Sequence, residues 1–499
     1  MIIMKTKPGK SARRTGITVL FLTALLLSAA FSILAQTPSE TPPPPAEPPD
    51  LTLPEVSEQT LPNGLKVVVV KRSNVPLVTA SLLVRKGASS ETKDKAGVAN
   101  MTAELLTKGT AYKNATEIAQ QIEFLGAGLS TRAGWNGSSA TVFVMKDKLG
   151  KALSLMSDSV IRPVFPEKEL ALFKKQALDG FSVSMKQPGS LLNYVAAAYA
   201  YGEHPTDGTP ETVKRIKRSD LVSFHKRFYA PGNSVLVFAG DIAPETAFGY
   251  ARLFFGGWTR DGSAEKSPPD EVAAVTERPP TVRRILVVDL PKSGQAAVGF
   301  ANKLEAGRNE SKNAYFAATV LNSVLGGGYS ARLNQEIRLK RGLSYGARSG
   351  FSWRSYDSNF IAVAQTKNES AGQVAELMQI EIDKLIEDSI PDDEMVPRKA
   401  VVTGGFGRSL QTNNGLANQL SELYAFGLSA GELNSFTSGV KAVTAKNIRS
   451  FAGDNLAGGD MIIVGDASMF LDDLKKRFPD HNVEVIESSK LNLNKSTLR

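Results

Sequence analysis

The sequence predicts an α+β protein built from two homologous halves, each a mostly antiparallel sheet covered by helices. From residue 55 onward, short β-branched runs alternate with segments of helical periodicity. One unit, a helix followed by a turn, an apolar strand and a Gly-Asp pair, occurs twice. The two copies close at Gly240-Asp241 and Gly465-Asp466, which are 225 residues apart. A repeat of that length is too long for a solenoid and indicates a duplicated domain.

Hydrophobic periodicity assigns the elements of the first half in order. Residues 65–70 and 77–84 are β-branched runs separated by a polar turn, and we predict that they pair with each other. The other predicted elements are helices 95–106, 115–125, 149–161, 166–185, 190–201 and 219–229, and strands 138–145 and 234–239. Pro166 stands at the start of its helix, where proline is tolerated. Ser219 and Asp220 are candidate N-caps.

The composition excludes several classes of site. The chain of 499 residues contains no cysteine, so disulfides, cysteine-ligated zinc, iron–sulfur clusters and thiol nucleophiles are ruled out. The net charge is +9, but the first 36 residues hold five basic residues and no acidic one. Because the remaining charge is spread along the chain, the sequence predicts no nucleic-acid partner.

The N-terminus has the pattern of a secretory signal. A basic stretch ends at Arg14, an apolar run covers residues 17–34, and small residues lie near Ala35, which predicts a signal peptide at residues 1–35. The alternative is an uncleaved anchor, since a run of about 18 apolar residues approaches the length of a membrane span. Residues 36–54 are rich in proline and predict an extended linker. We therefore expect export to the periplasm or the exterior, with a membrane tether if the signal is not cleaved.

The repeat and one Pro- and charge-rich segment define the predicted domains. The N-terminal domain is predicted at residues 55–260 and the linker between the domains at 261–283. The C-terminal domain is predicted at 284–485, followed by a tail at 486–499.

Histidine is scarce, which limits metal chemistry. The three histidines are His204, His225 and His481, and they are far apart in the sequence. A zinc site that needs two neighbouring histidines is therefore disfavoured. His225 lies in the repeated helix and is predicted to be structural. His204 lies in a Gly-Glu-His-Pro loop and is predicted to be exposed.

Five stretches resemble the M16 (pitrilysin-type, inverzincin) metallopeptidases. They are "LPNGLKVVVV", "KAGVANMTAELLTKGT", "FLGAGLS", "YAPGNSVLVFAGDI" and "GGGYSARLNQEIRLKRGLSYG". The resemblance covers residues 57–485 and is closest to short bacterial members and to mitochondrial processing peptidase subunits. It implies the M16/LuxS-like fold, in which the two halves of one chain form half of a clamshell.

Active members of that family carry H-x-x-E-H on a helix and a further glutamate ligand downstream. The two histidines bind Zn²⁺ from one helical face, and the glutamate between them is the general base for the zinc-bound water. In this chain the aligned positions hold Asn100, Ala103 and Glu104, and the downstream position falls at Gly180, beside Asp179. The resemblance therefore implies a degenerate zinc site, with no metal bound by this chain and no catalysis by this chain alone.

A second motif of the family is retained. In active relatives the C-terminal half supplies an arginine and, seven residues later, a tyrosine, which bind the peptide backbone and stabilise the oxyanion. Arg338 and Tyr345 stand at that spacing. The preceding Gly326, Gly327 and Gly328 resemble the glycine-rich loop of the family's non-catalytic subunits, which implies substrate binding by a mobile, closely approachable backbone. Taken alone, these residues would fit a surface arginine, a core tyrosine and a plain loop.

The missing zinc ligands and the retained Arg338 and Tyr345 lead to two hypotheses. The first is a non-catalytic subunit of a heterodimeric zinc peptidase, which binds unfolded peptide substrates and supplies Arg338 and Tyr345 in trans. Its partner would be an M16 subunit that carries H-x-x-E-H and the zinc. The second is an extracytoplasmic peptide-binding or scaffold protein, such as a homodimer, without a proteolytic role.

Overall fold

The computed structural model describes residues 54–259, 283–309 and 311–499. The described residues all belong to one compact unit. The predicted signal peptide, and nearly all of the proline-rich segment and of the linker at 261–283, lie outside the described residues. Within the described ranges, no helix combines the length and the apolar character that a membrane span requires.

The first half forms a six-stranded sheet with helices packed on it. Its strands are β1 (Val56–Thr60), β2 (Lys66–Lys71), β3 (Leu77–Val84), β4 (Gly128–Ala133), β5 (Ser138–Met145) and β6 (Ser234–Gly240). Its helices are α1 (Val98–Leu105), α2 (Ala115–Phe124), α3 (Leu149–Ile161), α4 (Glu167–Ser184), α5 (Pro188–Val195), α6 (Pro210–Arg215), α7 (Arg218–Phe228) and α8 (Pro244–Phe255). Helix α5 continues as a π-helical segment, Ala196–Ala200.

The second half repeats this architecture with a second six-stranded sheet. Its strands are β7 (Arg284–Asp289), β8 (Ala296–Leu304), β9 (Ala347–Trp353), β10 (Ser358–Thr366), β11 (Asp460–Gly465) and β12 (Val483–Glu487). Its helices are α9 (Lys312–Leu325), α10 (Ala371–Glu387), α11 (Asp392–Ser409), α12 (Asn413–Ala425), α13 (Glu432–Ala442), α14 (Ala445–Leu456) and α15 (Leu471–Arg477). A π-helical segment, Asn334–Leu339, lies between α9 and β9.

The sheets run β1-β2-β6-β3-β5-β4 and β12-β7-β11-β8-β10-β9, and their last five strands correspond in order. The first position differs, because β1 precedes β2 in the chain whereas β12 follows β11. Strand β2 is parallel to β6, and β7 is parallel to both β11 and β12, whereas the other neighbours are antiparallel. Helices cover both sheets, so the predicted fold class of two mostly antiparallel, helix-covered halves is confirmed.

One predicted strand pairing is wrong. Strands β2 and β3 do not pair with each other, because β6 lies between them and bonds to both. Every residue of β6 is buried. Such an apolar strand is stable only with neighbours on both edges and cover on both faces, so it takes the central place. Strand β4, in which exposed and half-buried residues alternate, lies at the edge.

The duplication extends beyond the unit that revealed it. Helices α4 and α11 are both 18 residues long and begin at Glu167 and Asp392. Helices α5 and α12 begin at Pro188 and Asn413. Both pairs are separated by the same 225 residues that separate Gly240 from Gly465.

The equivalent helices α5 and α12 are exchanged between the halves. Helix α5 and its π-helical continuation pack on β8 and β11 of the second sheet. Helix α12 packs on β3 and β6 of the first sheet. The sheet residues they cover are Val288, Ala297, Ala301, Ile462 and Val464 in the second sheet and Val68, Val70, Leu83, Val235 and Val237 in the first. Because an apolar sheet face must be removed from water, each half depends on the other for part of its core.

A buried ion pair also joins the halves. The Arg354 guanidinium donates to both carboxylate oxygens of Glu203 and stacks on Trp135, with 4.0 Å from its central carbon to the ring centroid. Lys303 lies 3.2 Å from the same carboxylate, and Asn359 donates to it at 3.0 Å. Burial alone raises the pKa of Glu203, but the hydrogen bond and charge of Arg354, with the charge of Lys303, hold that pKa below its ordinary value.

The C-terminal segment belongs to the folded body. Residues 486–499, assigned to a tail from the sequence, complete β12 and then return to the cluster around α5. Leu493 and Leu498 are buried there. The Thr209 hydroxyl, just before α6, donates a 2.9 Å hydrogen bond to the side-chain oxygen of Asn494.

Candidate functional site

Helix α1 carries the positions that align with the zinc-binding helix. Asn100 and Glu104 lie one turn apart and are half-buried, while Ala103 is fully buried. The side chain of Ala103 has no atom that can accept a proton. The helix therefore presents an amide and a carboxylate where a zinc peptidase needs two imidazoles and a general base.

Glu104 lies near a second carboxylate, that of Asp207, which sequence reasoning missed. Burial raises the pKa of Glu104, the charge of Lys108 opposes this rise, and the charge of Asp207 adds to it. Burial also raises the pKa of Asp207. The loop that holds Asp207 is packed against the start of α1, since a Cβ on Gly97 would lie 2.9 Å from the Asp207 carbonyl oxygen. Nothing in the sequence spacing relates Asp207 to Glu104.

The position that aligns with the family's third zinc ligand also has no donor side chain. Gly180 lies on α4, which packs against α1. A Cβ on Gly180 would meet no heavy atom within 4 Å, and Asp179 beside it is exposed. Within the described ranges, no group of three or more histidine, aspartate or glutamate side chains could hold a metal ion. The donor set present does not fit the zinc ion that the resemblance implies.

A buried carboxylate holds the start of α1. Glu91 accepts hydrogen bonds from the backbone N–H groups of Gly97 at 2.8 Å and Ala99 at 2.5 Å. The first N–H groups of a helix have no partner within the helix, and the two oxygens of Glu91 accept hydrogen bonds from two of them. Burial raises the pKa of Glu91 to about 8, against the effect of the two backbone hydrogen bonds and with a further contribution from Asp207.

Glu91→Gln is expected to flatten the pH dependence of stability. The folded-state pKa is about 8, and the ordinary value in an unfolded chain is about 4.3. The folded chain thus keeps a proton that the unfolded chain has released, so stability is highest below the unfolded value and falls as pH rises toward the folded value. Melting temperatures of the natural protein and of Glu91→Gln, taken between about pH 5 and pH 8, measure how steeply stability falls with pH. Glu123→Gln, at an exposed position of α2, is the control, and equal slopes for all three proteins would contradict the expectation.

The histidines differ in how well the sequence predicted them. The prediction of an exposed His204 is wrong, because its loop packs against the rest of the first half. Its ring centroid lies 5.2 Å from that of Trp135, and its Nδ1 lies 3.7 Å from the Glu91 carboxylate. His225 is a core residue, as predicted. Its Nε2 lies 2.7 Å from the Val160 carbonyl oxygen, and burial lowers its pKa to about 4.

Arg338 and Tyr345 lie on the surface of the second half. Arg338 belongs to the π-helical segment Asn334–Leu339, and Tyr345 lies in the loop before β9. Tyr345 is 92% exposed, which excludes a core role. The central guanidinium carbon of Arg338 lies 5.1 Å from the ring centroid of Tyr329. Among the described residues, neither the Arg338 guanidinium nor the Tyr345 hydroxyl has a hydrogen-bond partner.

The three glycines that follow α9 are not equivalent. A Cβ on Gly326 would lie 2.4 Å from the backbone nitrogen of Ser349, and one on Gly327 would lie 2.8 Å from the carbonyl oxygen of Asn322. At these two positions the absence of a Cβ allows the loop to pack closely against the backbone of Ser349 and Asn322. Gly328 has no heavy atom within 4 Å of the Cβ position, so it alone leaves space for a ligand.

The two sets of residues are not brought into contact. In the part of the chain that the structure describes, no hydrogen bond, ion pair or ring contact joins Arg338 or Tyr345 to helix α1.

Two family models match the chain. The model described as "Insulinase (Peptidase family M16)" matches residues 66–206, which include α1 and Gly180. The model described as "Peptidase M16 inactive domain" matches residues 215–399, which include Arg338 and Tyr345.

Similar proteins and structures agree with these matches. An uncharacterized zinc protease of Streptomyces coelicolor is 25% identical over 407 residues, covering 80% of this chain and 87% of that protein. One of Mycobacterium leprae is 27% identical over 372 residues, covering 73% and 81%. A crystal structure of the peptidase M16 inactive domain from Pseudomonas fluorescens has a TM-score of 0.74 and 26% identity, covering 82% of this chain and 98% of that one. A protease from Helicobacter pylori shares the fold, with a TM-score of 0.75 and 20% identity, covering 83% and 100%.

Proposed function

Because the chain belongs to the M16 peptidase family, we propose that it is the non-catalytic subunit of a two-chain zinc peptidase. Its fold is that of the inactive-type M16 domain. In this proposal the chain binds unfolded peptide substrates, and a partner M16 subunit carries H-x-x-E-H and the zinc ion. The complex would act outside the cytoplasm, as the basic and apolar pattern of residues 1–35 predicts.

One observation carries the proposal: Arg338 and Tyr345 are available for a ligand, while helix α1 lacks the zinc donors. Tyr345 is 92% exposed, and a tyrosine so placed contributes little to the stability of its own chain. Arginine offers five N–H donors in a fixed fork and tyrosine one O–H donor. In the described part of the chain these donors are unpaired, so they remain free for the carbonyl groups of a peptide.

The chemistry of these donors fits peptide hydrolysis in trans. Attack of water on a peptide carbonyl places negative charge on its oxygen, and prearranged donors that meet this charge lower the barrier. This chain would supply such donors, whereas activation of the water needs the partner's zinc and general base. Neither chain would then be active alone.

Arg338→Ala is expected to lower kcat of the two-chain complex by about 10²–10³-fold, as removal of an oxyanion donor does in other hydrolases. Tyr345→Phe, which removes one neutral hydrogen bond, is expected to lower it by about tenfold. The measurement is hydrolysis of a fluorogenic peptide by the complex reconstituted with an H-x-x-E-H subunit. Zinc content and subunit ratio are determined on the same sample.

Matched controls separate this role from general damage. Arg449→Ala changes an exposed arginine of α14, and Tyr356→Phe changes a tyrosine that is 49% exposed. Both should keep wild-type hydrolysis. Unchanged hydrolysis with Arg338→Ala and Tyr345→Phe would contradict the proposal. A chain that stays alone or forms a homodimer in the presence of the H-x-x-E-H subunit would favour the peptide-binding or scaffold alternative.

A further inference from the structure

Tyr329 is an exposed aromatic residue next to the proposed site. It follows Gly328 directly and is 63% exposed. Its ring therefore buries little surface, and core packing does not account for it. The ring contact recorded for it is with the Arg338 guanidinium, at 5.1 Å from the central carbon to the ring centroid.

The backbone around Tyr329 is held from two sides. The Asn334 side-chain amide donates a 2.5 Å hydrogen bond to the Tyr329 carbonyl oxygen, and its own oxygen accepts from the Ala347 N–H at 3.3 Å. Asn334 is 3% exposed. On the other side, the Arg398 guanidinium of α11 donates to the hydroxyl of Ser330 at 3.0 Å and to the Ser330 carbonyl oxygen. The backbone that follows the three glycines is thus held by hydrogen bonds at both Tyr329 and Ser330.

Arg338 itself has little else to orient it. A free arginine side chain has many rotamers, and ordering it costs entropy. Its guanidinium has no acceptor among the described residues. An aromatic face within about 6 Å attracts a guanidinium and leaves the N–H groups at its edge free. A fixed loop that presents Tyr329 therefore biases Arg338 toward one orientation before any ligand arrives.

We propose that Tyr329 is a positioning residue, whose ring face holds the Arg338 guanidinium in the orientation that meets the substrate. This inference rests on the proposed function, since it specifies how one of the two donors is prepared. The ring face is what acts, so the Tyr329 hydroxyl is not required.

The test uses the two-chain complex with the H-x-x-E-H subunit and a fluorogenic peptide. Tyr329→Leu is expected to lower kcat by about two- to fivefold, the factor that corresponds to an exposed cation–π contact, with little change in KM. Tyr329→Phe keeps the ring and is expected to restore kcat. In the Arg338→Ala background, Tyr329→Leu should have no further effect. Tyr356→Leu, at another half-exposed tyrosine, is the matched control and should leave kcat unchanged.

The outcomes separate this inference from the function on which it rests. If Arg338→Ala leaves kcat unchanged, the proposed function fails. If Arg338→Ala lowers kcat but Tyr329→Leu does not, the proposed function stands and the positioning role is overturned. The role is also overturned if Tyr329→Phe loses as much as Tyr329→Leu, or if Tyr329→Leu has the same effect with and without Arg338. An unchanged melting temperature for Tyr329→Leu shows that a kinetic loss does not come from unfolding.

Discussion

Arg354→Leu is expected to lower the free energy of unfolding by about 3 kcal/mol, because it leaves a buried carboxylate without its main partner. The side chains of Arg354 and Glu203 are only 10% and 8% exposed. Breaking a buried pair from one side is far more destabilising than removing both charges. Lys303 remains 3.2 Å from Glu203, so we expect the lower end of the range. Urea unfolding followed by circular dichroism measures the change.

The double variant Glu203→Leu/Arg354→Leu tests the cause. It removes both charges and should be less destabilised than Arg354→Leu alone. Lys490→Leu is the control at an exposed pair, where Lys490 and Glu487 are 70% and 54% exposed, and it should change the stability by less than about 1 kcal/mol. A double variant as unstable as the sum of its single variants would show that Glu203 and Arg354 act independently. Since this pair joins the halves, its loss should weaken both together.

The triple variant Asn100→His/Glu104→His/Gly180→Glu is expected to bind about one zinc ion per chain, whereas the natural chain should bind almost none. Histidines at i and i+4 of α1 share one face, and α4 packs against that helix. The open space at Gly180 accepts a glutamate side chain. Metal analysis after gel filtration, with dialysis against a chelator as the reference, measures the zinc content.

A control variant defines the geometry of the restored site. The variant Asn100→His/Glu104→Ala/Gly180→Glu lacks one of the three ligands and should not bind zinc stably. Because Ala103 is unchanged in both variants, neither should hydrolyse peptides. A folded triple variant without zinc would mean that positions 100, 104 and 180 do not converge, and the alignment with the family's zinc ligands would then be wrong.

Local patterns predicted much of the fold but not its connections. Periodicity predicted the observed bounds of strands β3 and β5 and of helix α3, which cover residues 77–84, 138–145 and 149–161. The pairing of β2 with β3 was predicted from their closeness in the sequence, yet β6 from the far end of the half separates them. The bounds of one strand or helix can be predicted from its own residues. Which strand becomes its neighbour in the sheet depends on which distant segment buries more apolar surface there.

The same distinction applies to the candidate site. The resemblance to the M16 family, followed along the sequence, implies both the missing zinc ligands at Asn100, Ala103 and Glu104 and the retained Arg338 and Tyr345. The contact between Tyr329 and Arg338, the carboxylate of Asp207 near Glu104 and the burial of His204 are not. Each of these depends on a loop conformation that spacing does not specify.

The sequence by itself therefore determined the duplicated architecture, through a unit that recurs after 225 residues, and the resemblance to the M16 family, through motifs in a fixed order. The tertiary structure decided the strand order, the exchange of α5 and α12 between the halves, and the hydrogen bonds that hold the backbone at Tyr329 and Ser330. These features arise where segments that are distant in the chain come into contact. The free energy that stabilises them comes from that contact, so neither segment specifies it alone. The exposed Tyr345 and the buried Glu203 differ for the same reason: burial is a property of the packed protein, and residue type alone does not specify it.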